Sequence, residues 1–137
     1  MGETRVLDSF AILALLGAEA GGAEVADLLR QAGNGRIRLL ICWVNLGEVA
    51  YIVERRYGAR RLQQVLATLA ATNLEPVAAE QTLTLAAAHI KAQHAIAFAD
   101  AFAAALTLQS AATLVTGDPE FHLLEDFVPV HWLPRSP

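Results

Sequence analysis

Short apolar runs separated by paired helical stretches leave this chain few folds to choose from. Thr4–Leu7, Arg38–Cys42 and Thr113–Thr116 are unbroken or nearly unbroken apolar runs, and residues 74–77 and 128–133 give two more. They are too short for helices and have the character of strands buried on both faces. Between them lie stretches with helical spacing, over residues 10–16, 23–31, 45–57, 59–71, 80–94 and 97–112, and a further helical turn after Asp118-Pro119. The order is β-α-α-β-α-α-β-α-α-β-α-β, with a tail from 134 to 137. Strands separated by helices pair in parallel and are covered on both faces. The expectation is an α/β chain: a three-layer α/β/α sandwich around a central parallel sheet of four to five strands.

At 137 residues the chain is expected to form one domain, residues 1–137. Its 55% apolar content excludes disorder. A lone cysteine, Cys42, excludes a disulfide framework and a cysteine metal site, and suits a reducing cytoplasm. No apolar run approaches the roughly 18 residues of a membrane span, so no membrane partner is expected. The N-terminus lacks a signal pattern, and Val6 stands where a myristoylation motif needs Ser or Thr. The net charge is −4. If four acids serve one metal site, the remaining 14 − 4 = 10 balance the 10 basic residues, nine of them Arg. Arg55-Arg56 and Arg60-Arg61 form a basic strip, which is either a solvated helix surface or a contact for RNA phosphates.

Four acids occupy telling positions. Asp8, Glu48 and Asp118 each follow a different expected strand, and Asp100 lies among apolar residues near the start of the helix that feeds the Thr113–Thr116 strand. Each of the first three also has a local explanation. Asp8 and Asp118 suit helix N-caps, the latter with Pro119 at the first helical position, and Asn45 with Glu48 matches a capping box. Asp100 is an acid among apolar neighbours, which is costly unless it is paired, hydrogen-bonded or holds a metal. Parallel strands bring their C-terminal ends to one edge, where open α/β sheets hold ligands. Four carboxylates without a His or Cys partner make a hard oxygen site, suited to Mg²⁺ or Mn²⁺ rather than zinc. A dication there polarises a phosphate and activates water. His89, His94, His122 and His131 show no paired metal spacing.

With these residues in view, the chain resembles the PIN-domain ribonucleases, most closely the VapC toxins of toxin–antitoxin pairs. The resemblance spans nearly the whole chain. It rests on Val6-Leu7-Asp8-Ser9, Asn45-Leu46-Gly47-Glu48, Phe98-Ala99-Asp100-Ala101-Phe102 and Leu114-Val115-Thr116-Gly117-Asp118-Pro119-Glu120-Phe121, in that order. It implies a PIN-like sandwich in which Asp8 and Asp100 hold the metal, Asp118 completes or supports its shell, and Glu48 positions or activates the water. Thr116 and Ser9 fall where the family keeps a hydroxyl beside the acids, and Glu120 falls near the site but outside the ligand set. The activity implied is metal-dependent hydrolysis of RNA phosphodiester bonds, leaving 5′-phosphate and 3′-hydroxyl ends. The partners implied are an RNA substrate, a cognate antitoxin protein and a second copy of the chain.

Other readings fit less well. A receiver domain needs a lysine after its last central strand, and Lys91 precedes that strand; a DxD phosphatase needs an acid where Phe10 stands. The alternative from another class is a non-catalytic PIN-like protein-interaction module. For packing, Leu83, Leu85, Ala87 and Ile90 are expected inward. Val49, Ile52, Val53 and Tyr57, with Leu62, Val65, Leu66 and Leu69, form one apolar face that is either core cover or a subunit interface. Trp43 and Trp132 are expected in the core, and Tyr51 and Tyr57 are expected to pack rather than stack on RNA.

Overall fold

The structure, a computed structural model, describes residues 2–135; Met1 and the last two residues of the expected tail lie outside them. Five strands, β1 (Thr4–Leu7), β2 (Arg38–Cys42), β3 (Glu75–Val77), β4 (Thr113–Thr116) and β5 (Val130–Trp132), form one sheet in the order β3-β2-β1-β4-β5. All neighbours are parallel, with Leu7 beside Ile41 on one flank and Val115 on the other. Pro76 lies inside β3. An edge strand tolerates a residue with no N–H to donate, and β3 pairs only with β2.

Side chains alternate across the sheet. Val6, Leu40, Cys42 and Leu114 point to one core, which α5 (Gln81–Gln93) and α6 (Phe98–Gln109) cover with Leu83, Ala87, Ile90 and the alanine-rich run from Ala101. Leu7, Leu39, Ile41 and Val115 point to the other. That core is covered by α1 (Ser9–Leu16), α2 (Gly22–Gly33), α3 (Trp43–Tyr57) and α4 (Ala59–Ala70). These are the three layers. The last helical stretch is a 3-10 turn, Pro119–Leu123. Among the described residues no helix is long and apolar enough to cross a membrane.

The face shared by α3 and α4 is largely core. Val49, Val53, Leu62, Val65 and Leu69 are buried in the core beside the sheet, whereas Ile52 and Leu66 are only partly buried. Tyr57, at the end of α3, is exposed instead. Leu85 is also exposed: the inward positions of α5 are 83, 87 and 90, and a residue two places from 83 lies on the opposite side of a helix. Trp43 is 52% and Tyr51 50% exposed, against the expectation that both pack. α3 begins directly at Trp43, two residues earlier than the pattern suggests, so Trp43 is helical. Tyr51 lies two places from the buried Val49 and Val53 and therefore opposite them, on the same outer face as Trp43 and Gly47.

Candidate metal centre

Three strands end at the same edge, and each hands over to a helix or turn. After β1, Asp8 turns into α1 as its N-cap, with Oδ1 accepting from the backbone N–H of Ala11 at 3.0 Å. Its other oxygen, Oδ2, accepts from the Thr116 hydroxyl at the end of β4, at 2.5 Å. The Thr116 oxygen in turn accepts from the backbone N–H of Asp118 at 3.0 Å. Asp118 caps the 3-10 turn through Oδ1, which accepts from the N–H of Glu120 at 3.0 Å. Glu120 reaches back to the N-terminus of α6, where Oε1 accepts from the N–H of Ala97 at 3.1 Å. The cap reading and the site reading therefore apply to the same residues, because the side chains that satisfy the free N–H groups also stand at the sheet edge.

Asp100 differs. It is buried in the first turn of α6, and no described residue donates a hydrogen bond to its carboxylate. Burial raises its pKa to about 8, and Asp118, Asp8, Glu120 and Glu48 push it the same way by charge repulsion. Asp8 is raised to about 7, chiefly by burial, with Asp118 adding repulsion and the Thr116 and Ala11 hydrogen bonds pulling against it. One oxygen each from Asp100, Asp118 and Glu120 lie within 4.8 Å of one another, close enough to share one cation. Asp8 and Glu48 are outside that tight triad but act on Asp100 electrostatically. Glu120, expected near the site but outside the ligand set, contributes one of these three oxygens. Its position depends on the fold of the 3-10 turn and its hold on Ala97, which no local pattern announces.

The expected capping box does not form. The N-cap of α3 is Cys42, which makes no side-chain capping bond. Asn45 is inside the helix and fully buried. Its Nδ2 donates to Ser9 Oγ at 3.3 Å and to the Ala99 carbonyl at 3.1 Å. Glu48 lies one turn further on, partly exposed. Gly117 separates Thr116 from Asp118 under the ring of Phe10; a Cβ there would lie 2.4 Å from Phe10 Cε1.

The donors are carboxylate oxygens without a histidine or thiolate, and this set fits Mg²⁺ or Mn²⁺. A buried acid repelled by its neighbours, with no donor of its own, fits a cation in the same way. Residues 5–126 match the family model for the PIN domain. The chain belongs to the PIN-domain family. The matched span of this PIN domain contains Asp8, Glu48, Asp100, Asp118 and Glu120.

Solved structures with this fold include VapBC2 of Rickettsia felis bound to a promoter DNA fragment, at 17% identity, 96% coverage of this chain and 99% of that one, and a TM-score of 0.74. VapC20 of Mycobacterium tuberculosis, a toxin that cleaves the sarcin–ricin loop, has 19% identity, 86% and 92% coverage and a TM-score of 0.68. VapBC-5 of the same organism, from the VapBC family of toxin–antitoxin systems, has 16% identity, 94% and 96% coverage and a TM-score of 0.62. No curated protein matches the chain in sequence.

Proposed function

We propose that this PIN domain is a Mg²⁺- or Mn²⁺-dependent endoribonuclease and the toxin of a toxin–antitoxin pair. The observation that carries the reading is Asp100, an acid buried without a donor among four other carboxylates. Asp8, Asp100 and Asp118 would hold the ion; Glu120, whose oxygen lies within 4.8 Å of those of Asp100 and Asp118, is near enough to join them. Bound there, such an ion would supply charge neutralisation of the carboxylates and polarisation of the scissile phosphate. Glu48 orients a water and accepts its proton as the water oxygen attacks phosphorus in line. The bond from phosphorus to the 3′-oxygen breaks, leaving a 5′-phosphate and, after protonation of the leaving oxygen, a 3′-hydroxyl. Thr116 fixes the Asp8 carboxylate by its hydroxyl and so keeps one oxygen facing its own helix and the other facing β4.

A groove of about 270 Å³ runs between α1, α3 and α4, with Leu13, Leu16, Ile52 and Val53 on its apolar side and Glu19, Arg56 and Arg61 among its polar lining. It lies one to two turns beyond Ser9 and Glu48 on the same helices. An amphipathic antitoxin helix with acidic residues toward the two arginines suits it. A homodimer would use the exposed Trp43 and Tyr51 of α3. Sedimentation of Trp43→Glu beside the parent tests that surface, and an unchanged dimer removes it from consideration.

The activity is tested by incubating the purified chain with structured RNA in EDTA, Mg²⁺ and Mn²⁺. Metal-dependent cleavage that Asp100→Asn abolishes is expected. Absence of cleavage together with absence of metal binding would leave a non-catalytic interaction module.

A further inference from the structure

We propose that Asn45 is a positioning residue that sets the spacing of the acids, an inference that rests on reading the cluster as a metal-dependent hydrolytic site. Three acid-bearing segments meet at this one side chain. Its Nδ2 donates to Ser9 Oγ, on the residue after Asp8, and to the carbonyl of Ala99, the residue before Asp100. Ser9 Oγ returns a hydrogen bond to the Asn45 carbonyl at 3.2 Å. Asn45 itself is one helical turn before Glu48. The start of α1, the first turns of α3 and the N-terminus of α6 are thus tied at a point adjacent to each acid.

The residue type matters. A side-chain amide offers two donors on a short neutral stem, whereas a hydroxyl offers one and a carboxylate none. No charge is added to a site already rich in it. Asn45 is fully buried and its Oδ1 has no hydrogen-bond partner. An unmet buried acceptor lowers stability, and a leucine of similar size has no such atom. Packing alone therefore favours an apolar residue at this position; the two donated bonds are what a leucine lacks. The benefit is a fixed distance between Asp8, Glu48 and Asp100, whose mutual repulsion otherwise drives their segments apart.

The test compares the parent, Asn45→Leu, Ser9→Ala and the double variant. Unfolding is followed in EDTA, Mn²⁺ binding by calorimetric titration, and RNA cleavage by kcat and KM. Asn45→Leu is expected to unfold in EDTA at or above the parent temperature, yet to bind Mn²⁺ about 10–100-fold more weakly, as loss of a supporting contact around a metal does. Its kcat should fall over a similar range with KM for RNA nearly unchanged. Ser9→Ala should show a smaller loss of the same kind, and the double variant should be no worse than Asn45→Leu, because both act through one linkage. Parent-like Mn²⁺ affinity and kcat in Asn45→Leu would make Asn45 a packing residue and overturn the proposal. If Asn45→Leu does not fold, Ser9→Ala decides, and parent-like Mn²⁺ affinity there is equally fatal. A parent that binds no Mn²⁺ refutes the hydrolytic reading and this inference together, an outcome distinct from both.

Discussion

The hydroxyl of Thr116 donates to Asp8 Oδ2 at 2.5 Å, joining the ends of two adjacent strands whose residues are 108 positions apart in the chain. The same oxygen accepts from the N–H of Asp118. One hydroxyl thus fixes an acid on one strand to the backbone that carries another. Thr116 is fully buried, and the bond holds down a pKa that burial raises.

Thr116→Val keeps the shape and removes the hydroxyl. Asp8 then loses its only side-chain donor, and its pKa should rise above about 7. Metal binding requires the ionised carboxylate. Mn²⁺ affinity should therefore fall by about 10-fold near neutrality and recover at higher pH, with Thr116→Ser restoring the parent curve. Titrations across pH that superimpose for the parent and the valine variant would remove Thr116 from the site.

The metal-free chain should lose stability as pH rises. Asp8 and Asp100 titrate near 7 and 8 when folded, against an ordinary value of 3.8. Between these limits the folded state binds more protons than the unfolded state, so the stability slope against pH is negative. Melting in EDTA should shift downward between about pH 5 and pH 8, less so in Asp100→Asn, and added Mn²⁺ should reverse the shift at the upper end. Near pH 8 in EDTA, Asp100→Asn should be as stable as the parent or about 1 kcal/mol more so, since one repelling charge is gone. A melting temperature that climbs with pH in EDTA contradicts the assignment of raised pKa values to these acids.

Gly117 is held to its residue type by Phe10. A methyl group there meets Phe10 Cε1 at 2.4 Å and Cζ at 2.7 Å, so either the ring moves or the segment carrying Asp118 does. Gly117→Ala should lower the melting temperature by several degrees, in the range of overpacking changes of about 1–3 kcal/mol. It should also weaken Mn²⁺ binding, and Phe10→Leu in the same chain should recover part of both. Full stability and affinity in Gly117→Ala would mean that the ring yields freely and that the glycine is incidental to the site.

What could be read from the sequence follows from how local each feature is. Strands β1, β2 and β4 were legible because each is a nearly continuous apolar run, and a parallel sheet follows from the helices between them. Asp8 and Asp118 were legible as caps and as strand-end acids at once, and both are caps in the structure. Asn45 was not, because its burial depends on α1 and α6 closing over it; in isolation its spacing to Glu48 imitates a cap. The nearness of Glu120 to Asp100 involves a contact with Ala97, 23 residues away, which no local pattern announces. Trp43 and Tyr51 show the limit of apolar character alone: Tyr51 is two places from the buried Val49 and Val53 and so on the opposite face of α3, and Trp43 joins that face because the helix starts at it.

Arg55, Arg56, Arg60 and Arg61 are all exposed, and Arg55 lies over the ring of Tyr51 at 5.3 Å. If they hold RNA phosphates, removing their charge should raise KM and flatten its salt dependence while leaving Mn²⁺ binding as in the parent. Removing two charges should reduce the slope against log salt by roughly 1.4–1.8. An unchanged slope in Arg55→Gln/Arg56→Gln assigns that pair to the solvated surface, and Arg60→Gln/Arg61→Gln then decides for α4.

The last prediction separates capping from metal binding at Asp8 and Asp118, where one side chain does the first and is proposed for the second. Asn caps a helix about as well as Asp. Each residue uses one oxygen as the cap, toward Ala11 and Glu120 respectively, and an amide oxygen can replace it in that contact. Asp118→Asn should therefore leave the metal-free melting temperature within a degree or two of the parent, and repulsion on Asp100 should ease. Asp8→Asn has a further constraint. Its second position faces the Thr116 hydroxyl, which must turn to accept from the amide instead of donating to the carboxylate. Turning it is possible because a hydroxyl accepts as well as donates, but its own proton then loses the Asp8 acceptor in a fully buried position, so a cost of about 1–3 kcal/mol is expected. Metal binding is another matter, because a neutral amide is a much weaker ligand than a carboxylate for a hard dication. Both variants should lose most RNA cleavage and most of the rise in melting temperature that Mn²⁺ gives the parent. The decisive comparison is melting in EDTA and in excess Mn²⁺, with cleavage assayed on the same samples. If both asparagine variants match the parent in the Mn²⁺-induced shift and in cleavage, Asp8 and Asp118 are helix caps only, and the ion must be held by Asp100 with Glu120 or not at all.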